Sequence, residues 1–435
     1  MSAARYSRNP DHIRRRHVPA PDNEAISQHL QALLSPLVYQ QQAYYRSLGM
    51  RERILTLPLM VAAVVTLLWS QVPSVRELTR MLNRQDLLWA KAVKVRQQSL
   101  SERFLSFPAE LFERVLETLV PQLQHRFKER TRPLPSSLEH GLQHFQQILA
   151  VDGSVLEALF RKLDSLQALP TGTLAGKICT VIELTTRLPV KVWLEENPKA
   201  HDCCFLTGLL AWLSPQTLLV LDRGFYDFQW WAQLRQRQVD FICAGKSNLA
   251  YTLLQNFSVT DNLRDRLIQV GVEKAGTSPL TLRLVEVRKG KGWHRYLTSV
   301  LEPEVSPPYV VIDLYCRRWR IEEAFLVAKR LLGLSYLWTG SLNGIKLQIW
   351  ATWVMYAVLV DLSDAVAQVV QMPLERISLE MVWRGLYHFN HAYQKGQAQD
   401  PIAYLAAPEN RDLGVIKALR KPPQQLDFTP FFNLT

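Results

Sequence analysis

Five cysteines in 435 residues, Cys179, Cys203, Cys204, Cys243 and Cys316, form no CxxC pair and are odd in number. Neither a disulfide framework nor a zinc-finger ligand set is therefore indicated. The opening MSAARYSRNPDHIRRRHVPAP has no apolar h-region, so no secretory signal is expected and a reducing cytoplasm is the expected location. Long apolar runs are also missing. Residues 54–69 contain Pro58, and residues 347–360 are followed by Asp361 and Asp364; both fall short of the roughly 20 residues that cross a bilayer and read as buried helices, with no membrane partner. No P-loop and no dinucleotide fingerprint after a strand is present, so no nucleotide cofactor is expected, and the zinc-binding HExxH pattern is missing as well. The pair His388 and His391 lacks an acidic partner.

What is present is a core-forming composition with an uneven excess of positive charge. Apolar residues make up 48% of the chain and charged ones 21%, with a formal charge of +12; this is a soluble multidomain composition. Residues 1–134 hold 20 basic against 11 acidic side chains. A basic block on a nearly balanced chain argues for a polyanionic partner, because phosphate contacts release counterions.

Residues 1–25 carry Arg14, Arg15 and Arg16 among prolines and read as a flexible basic arm. Residues 26–134 are helical in pattern, with Ser99 and Glu102 spaced as a capping box and Pro108 suited to the first turn of the next helix. Short helices with tight joints resemble a helix-turn-helix, around which Lys91, Lys94, Arg96 and Arg103 would meet phosphates. A packing domain with a solvated basic face fits the same residues. After the linker TRPLPSS at 131–137 the periodicity changes. QILAV (147–151), KICTVIEL (177–184), VKVWL (190–194), TLLVL (217–221) and VDFICA (239–244) have strand length and β-branched content, which predicts an α/β mixed sheet with flanking helices. An antiparallel β insertion is expected over about 246–300, then helices from 308 to about 372. A C-terminal helix and irregular tail are expected over 391–435.

Two aspartates directly follow apolar runs: Asp152 in QILAVDGS and Asp222 in TLLVLDRGFYD. A carboxylate at the C-terminal end of a buried strand projects from a rigid support, where open α/β sheets place their ligands. Gly153 and Gly224 are expected to let the chain turn sharply away. Taken singly, each motif also fits a plain turn after a strand.

The third element is helical: Tyr315, Arg318, Glu322 and Lys329 in YCRRWRIEEAFLVAK. At about 100° per residue from Tyr315, Arg318 falls near ~−60°, Glu322 near ~−20° and Lys329 near ~−40°, whereas Glu323 falls near ~+80°. One acid flanked by two cations and a phenol suits a metal-bound phosphodiester. A solvated, ion-paired helix face is the plain alternative.

The spacing Y-x2-R-x3-E-x6-K, with RWRIEEAF, AVDGS and LVLDRGFYD around it, resembles the insertion sequence family four group of bacterial DDE transposases, from about residue 34 to about 400. The resemblance implies a ribonuclease-H-like catalytic domain over 135–390, interrupted by the β insertion and preceded by an all-helical DNA-binding domain at 26–134. It implies Asp152, Asp222 and Glu322 as catalytic and metal-binding residues for two Mg²⁺ or Mn²⁺ ions, which such carboxylates hold ~3.5–4 Å apart. It further implies DNA contacts from Tyr315, Arg318 and Lys329, double-stranded element ends and target DNA as substrates, and a homodimer in the DNA complex. Cytoplasmic, nucleoid-associated action follows from the same likeness.

One departure is local. Relatives tend to carry several basic residues after the strand corresponding to VDFICA, and here AGKSN offers only Lys246 as a DNA contact. Trp293, beside His294 and Arg295, has the surroundings of a base-stacking residue, although a hairpin Trp also packs across strands. His201 and Asp202 before Cys203 and Cys204 have no second ligand pair at metal-site spacing and read as structural or loop polar groups. A non-catalytic DNA-binding inhibitor or repressor is the alternative function, and a nuclease that cuts without joining is a third; an inhibitor would be expected to have lost a carboxylate.

Overall fold

The computed structural model describes residues 26–418 apart from 73, 158–173, 198, 272–278, 291, 335–337 and 339–340. The basic arm, Lys291 of the expected insertion turn and residues 419–435 of the tail lie outside the described residues. Two compact units are formed. One contains residues up to 133, 155–176 and 323–418; the other contains 134–154 and 177–322.

The first unit is helical. Its N-terminal stretch folds as Ser27–Gln40, Gln42–Ser47, Leu57–Trp69, Val75–Leu82, Gln97–Ser106 and Glu110–Glu129. The apolar run containing Pro58 becomes Leu57–Trp69: Pro58 sits in the first turn, where no N–H is needed, and Thr56 caps the helix by accepting from the Leu59 amide. The expected capping box at Ser99 is not the helix start. That helix begins at Gln97 with no side-chain cap, and Glu102 instead accepts from the Gln98 amide group at 2.9 Å, one turn away on the exposed face. The run at 347–360 extends into the 28-residue helix Leu342–Val369. It is long and apolar enough to cross a membrane, and 94% of its most apolar stretch is buried in the fold.

The second unit is built on one nine-stranded sheet. In chain order the strands are β1 (Gln147–Glu157), β2 (Leu174–Glu183), β3 (Pro189–Glu195), β4 (Thr217–Leu221), β5 (Val239–Ala244), β6 (Thr252–Val259), β7 (Leu263–Val270), β8 (Leu280–Lys289) and β9 (Gly292–Thr298). Their spatial order is β3-β2-β1-β4-β5-β9-β8-β7-β6. β1, β4 and β5 are parallel, and their near-continuous Val, Leu and Ile content is that of strands covered on both faces. The insertion is antiparallel as expected, and it continues the same sheet: β9 pairs with β5 through Ile242 and Thr298. It contributes four strands, two of which, β6 and β7, carry too much polar sequence to be read as strands.

On one sheet face Leu149, Val151, Cys179, Val181, Leu219, Leu221, Phe241 and Cys243 form a buried cluster with Phe205, Leu209 and Trp231. The alternating residues face the other way. There Ile148 packs toward Gly141, beside Leu314 of the helix Pro308–Arg317.

Candidate active site

Strand register places the two aspartates. Val151 pairs with Leu221 across the parallel β1–β4 ladder, so the next residues, Asp152 and Asp222, stand level on strands ~4.8 Å apart. Both alternate with buried leucine and valine side chains of the apolar cluster, and both therefore project from the opposite sheet face. The third carboxylate comes from the helix Trp319–Leu326. Arg318, at the joint between that helix and Pro308–Arg317, ties the groups together: Nη1 donates to Asp152 Oδ2 at 2.8 Å and Nη2 to Glu322 Oε1 at 3.0 Å. Asp152 Oδ1 also accepts from the Gly153 amide at 2.8 Å.

Two of the acids contact one cation, Arg318, and the third, Asp222, acts on it through its charge. Burial pushes the Asp152 carboxyl up to about 6; Arg318 opposes the shift, while Asp222 and Glu322 add to it. Burial works against the charged form of Arg318, yet Asp152, Asp222, Tyr315 and Glu322 together hold its pKa above the ordinary value. Tyr315 is pushed up to about 12, chiefly by burial and against the pull of Arg318, so at neutral pH it is a hydrogen-bond donor. Its ring rests against Tyr296, with centroids 5.0 Å apart.

The remaining expected contacts are dispersed. Lys246 is exposed and lies over the Tyr226 ring at 4.2 Å. Trp293 is half-buried in β9 with the Arg264 guanidinium 4.1 Å from its ring centre. Lys329 and Arg103 belong to the helical unit. Lys329 Nζ donates there to the Val155 carbonyl at 3.1 Å, and Arg103 donates to the Arg51 carbonyl at 3.0 Å. Lys329 sits in a π-helical stretch, Val327–Leu331, so the uniform step used to place it on the Tyr315 arc does not hold that far along.

Residues 143–358, about half of the chain, match the family model of the transposase DDE domain. The chain carries a transposase DDE domain. The DDE domain's matched segment spans Asp152, Asp222, Tyr315, Arg318, Glu322 and Lys329. A relative from Sinorhizobium fredii named "Putative transposase y4zB" is 25% identical over 150 residues, which is 32% of this chain and 41% of that protein. The chain thus spans about two fifths of the length of the curated relative it matches. The cryo-EM structure of a piggyBac transposase synaptic complex with hairpin DNA aligns over 91% of this chain and 81% of that one, at 12% identity and a TM-score of 0.35, a score that establishes no common fold.

The three carboxylates Asp152, Asp222 and Glu322 fit a hard divalent cation in kind. Three carboxylates without thiolate or imidazole are the oxygen chemistry that Mg²⁺ and Mn²⁺ select, and the mutual field of Asp152, Asp222 and Glu322 is the negative potential such an ion needs. Among the described residues no three acidic, His or Cys side chains yet close on a common point; Arg318 supplies the counter-charge between Asp152 and Glu322. The structure also brings in a residue that sequence reasoning set aside. Asp202 lies against both Gly153 and Gly224, and neither glycine is in a left-handed conformation. Gly153 does not end β1, which runs on to Glu157; the glycines give room rather than turns. Two glycines following two aspartates were the available signal.

Proposed function

We propose that the chain is a DNA transposase of the insertion sequence family four group, which binds the terminal inverted repeats of a mobile element and catalyses metal-dependent strand cleavage and transfer. One arrangement carries this reading: Asp152 and Asp222 level on adjacent parallel strands, with Arg318 spanning Asp152 and Glu322. The parallel β1, β4 and β5 beside the antiparallel β2–β3 pair support a ribonuclease-H-like sheet.

Asp152, Asp222 and Glu322 would hold two Mg²⁺ or Mn²⁺ ions. When bound, such ions activate the attacking oxygen and stabilise the leaving oxygen of an in-line displacement. The chain's own groups do the rest. Arg318 is a buried cation already placed among the carboxylates and able to receive a phosphate oxygen. Tyr315 keeps its proton and would donate it in a hydrogen bond to a phosphate oxygen. Lys329, Lys246, Trp293 and Arg103 are proposed DNA contacts, and the helices of 26–134, which carry most of the excess positive charge, hold the element ends. A homodimer on paired ends, acting at the nucleoid without a nucleotide cofactor, completes the reading. The repressor alternative is disfavoured by the survival of all three carboxylates.

Glu322→Gln is expected to keep affinity for DNA bearing the inverted repeats that flank the coding region, while strand cleavage in Mg²⁺ is lost. Unchanged cleavage by this variant, measured on end-labelled DNA, overturns the assignment.

A further inference from the structure

We propose that Asp202, locked to Lys177, is a positioning residue that fixes the spacing of the two strand-borne aspartates from the opposite face of the sheet. This deepens the transposase reading and rests on it for the role of Asp152 and Asp222.

Lys177 Nζ meets Asp202 Oδ1 at 2.8 Å and donates to the Ala200 carbonyl at 3.0 Å. The pair is mostly buried, with side-chain exposures of 11% and 23%. The two oxygens of Asp202 face the backbone at two places, Gly153 within β1 and Gly224 just past β4. A Cβ at Gly153 would lie 2.1 Å from Oδ1, and one at Gly224 would lie 2.6 Å from Oδ2. One carboxylate is thus wedged against the backbone one residue past Asp152 and two residues past Asp222, and only glycine permits that approach. The turn bearing it has a second hold on the same segment, since Cys203 Sγ donates to the Gly224 carbonyl at 3.7 Å. His201 caps the turn by accepting from the Cys203 amide at 3.3 Å.

Alternation decides the face. Gly153 is two residues from Val151, and Lys177 two from Cys179, both in the apolar cluster; Asp152 projects oppositely. Asp202 is therefore separated from the carboxylate face by the strand backbones and is already neutralised by Lys177, so it acts through the backbone and is not a third strand-borne ligand. A mostly buried ion pair is weak as a source of stability. Here it stands where a shift of the backbone beside either aspartate changes the separation of two proposed metal ligands, and outer partners of ligands govern metal affinity.

The test uses the full chain with Mn²⁺ as the probe. Mn²⁺ binding is followed by calorimetry, and backbone hydrogen exchange is followed in metal-free protein, for wild type, Asp202→Ala, the near-isosteric Asp202→Asn and Lys177→Met. Asp202→Ala is expected to weaken Mn²⁺ binding roughly 10–100-fold and to speed exchange in the segments around 150–155 and 221–226, with affinity for element ends unchanged. Gly153→Ala alone should weaken Mn²⁺ binding, whereas in the Asp202→Ala background it should add no further loss, because the new Cβ enters the space the carboxylate held. Wild-type Mn²⁺ affinity and unchanged local exchange in all three Asp202 and Lys177 variants overturn the proposal. So does faster exchange spread evenly over the sheet with metal affinity intact. If wild type binds no Mn²⁺, the transposase reading fails instead, and the exchange measurements still decide whether Asp202 fixes the backbone beside the two aspartates.

Discussion

Arg318 stands where two carboxylates would otherwise repel each other, and that position can be tested without DNA. With its side chain 8% exposed and bonded to Asp152 and Glu322, its removal leaves Asp152 buried beside Asp222 and Glu322 without a counter-charge. Arg318→Met is expected to lose up to roughly 3 kcal/mol of stability in metal-free buffer, less than a fully buried pair because Glu322 is 35% exposed. Added Mg²⁺ should then raise the melting temperature of the variant more than that of wild type, as the ion replaces the missing positive charge; an equal or smaller shift in a thermal melt would refute this account. Helical spacing made the Arg318–Glu322 bond legible in the sequence, since i and i+4 share a face. The aspartates were legible because each ends a buried apolar run. Asp202 was not, because its partners lie 25, 49 and 22 positions away in three other segments (Lys177, Gly153 and Gly224) and follow no period.

Elements whose residues alternate cleanly, or are uniformly apolar, match the sequence expectation closely: β4 and β5 coincide with TLLVL and VDFICA. β6 gives no two-residue signal because it is exposed over most of its length, and in β7 three consecutive charged residues, Arg264, Asp265 and Arg266, obscure the strand pattern of LRDRLIQV. The charges have partners that no local pattern reveals. Arg283 of β8 is fully buried and makes a two-pronged contact with Asp265 of β7, Nε and Nη2 each 2.7 Å from a carboxylate oxygen, while Nη1 donates to the Ser306 carbonyl at 2.6 Å. Glu286 similarly takes Arg266 at 3.3 Å and Arg295 at 2.8 Å. Asp265→Asn leaves a buried guanidinium without its anion and is expected to cost roughly 3–5 kcal/mol in urea unfolding. The double change Asp265→Leu with Arg283→Met should recover much of that loss, since well-packed apolar residues often replace a buried pair at no cost. A double variant as weak as the single would show that the pair stabilises the insertion beyond simple charge balance.

Over the whole chain, the excess positive charge does more than face solvent. Asp361 and Asp364, which in the sequence look like the polar end of a short apolar run, lie inside the helix Leu342–Val369 and are buried. Their partners come from the far end of the sequence: Arg126 at 2.9 Å and Arg130 at 2.8 Å from Asp361, Arg130 at 2.9 Å and Arg132 at 2.5 Å from Asp364, with His29 at 3.3 Å from Asp361. Part of the basic block is thus internal to the helical unit, where it joins segments some 235 residues apart. The two acids respond differently to this setting. Burial raises the pKa of Asp361, but the His29 hydrogen bond and the Arg130 and Arg126 charges hold it below its ordinary 3.8. For Asp364 burial prevails over Arg132 and Arg130, and the pKa stays above that value. A lowered carboxylate pKa contributes stability that is present above the unfolded value and lost as pH falls through the folded one. Asp361→Asn should therefore cost roughly 3–5 kcal/mol at neutral pH, with the gap to wild type closing below about pH 4, where the unfolded carboxyl takes up its proton. Asp364, with its pKa raised, has the opposite linkage: ionisation works against the fold as pH rises, so Asp364→Asn should be the milder change above pH 5. Melting temperatures of both variants across pH 3 to 8 test the pair together. A milder effect from Asp361→Asn than from Asp364→Asn at neutral pH, or a wild-type advantage over Asp361→Asn that persists unchanged at pH 3, would show that Asp361 is not the anion on which these distant cations converge.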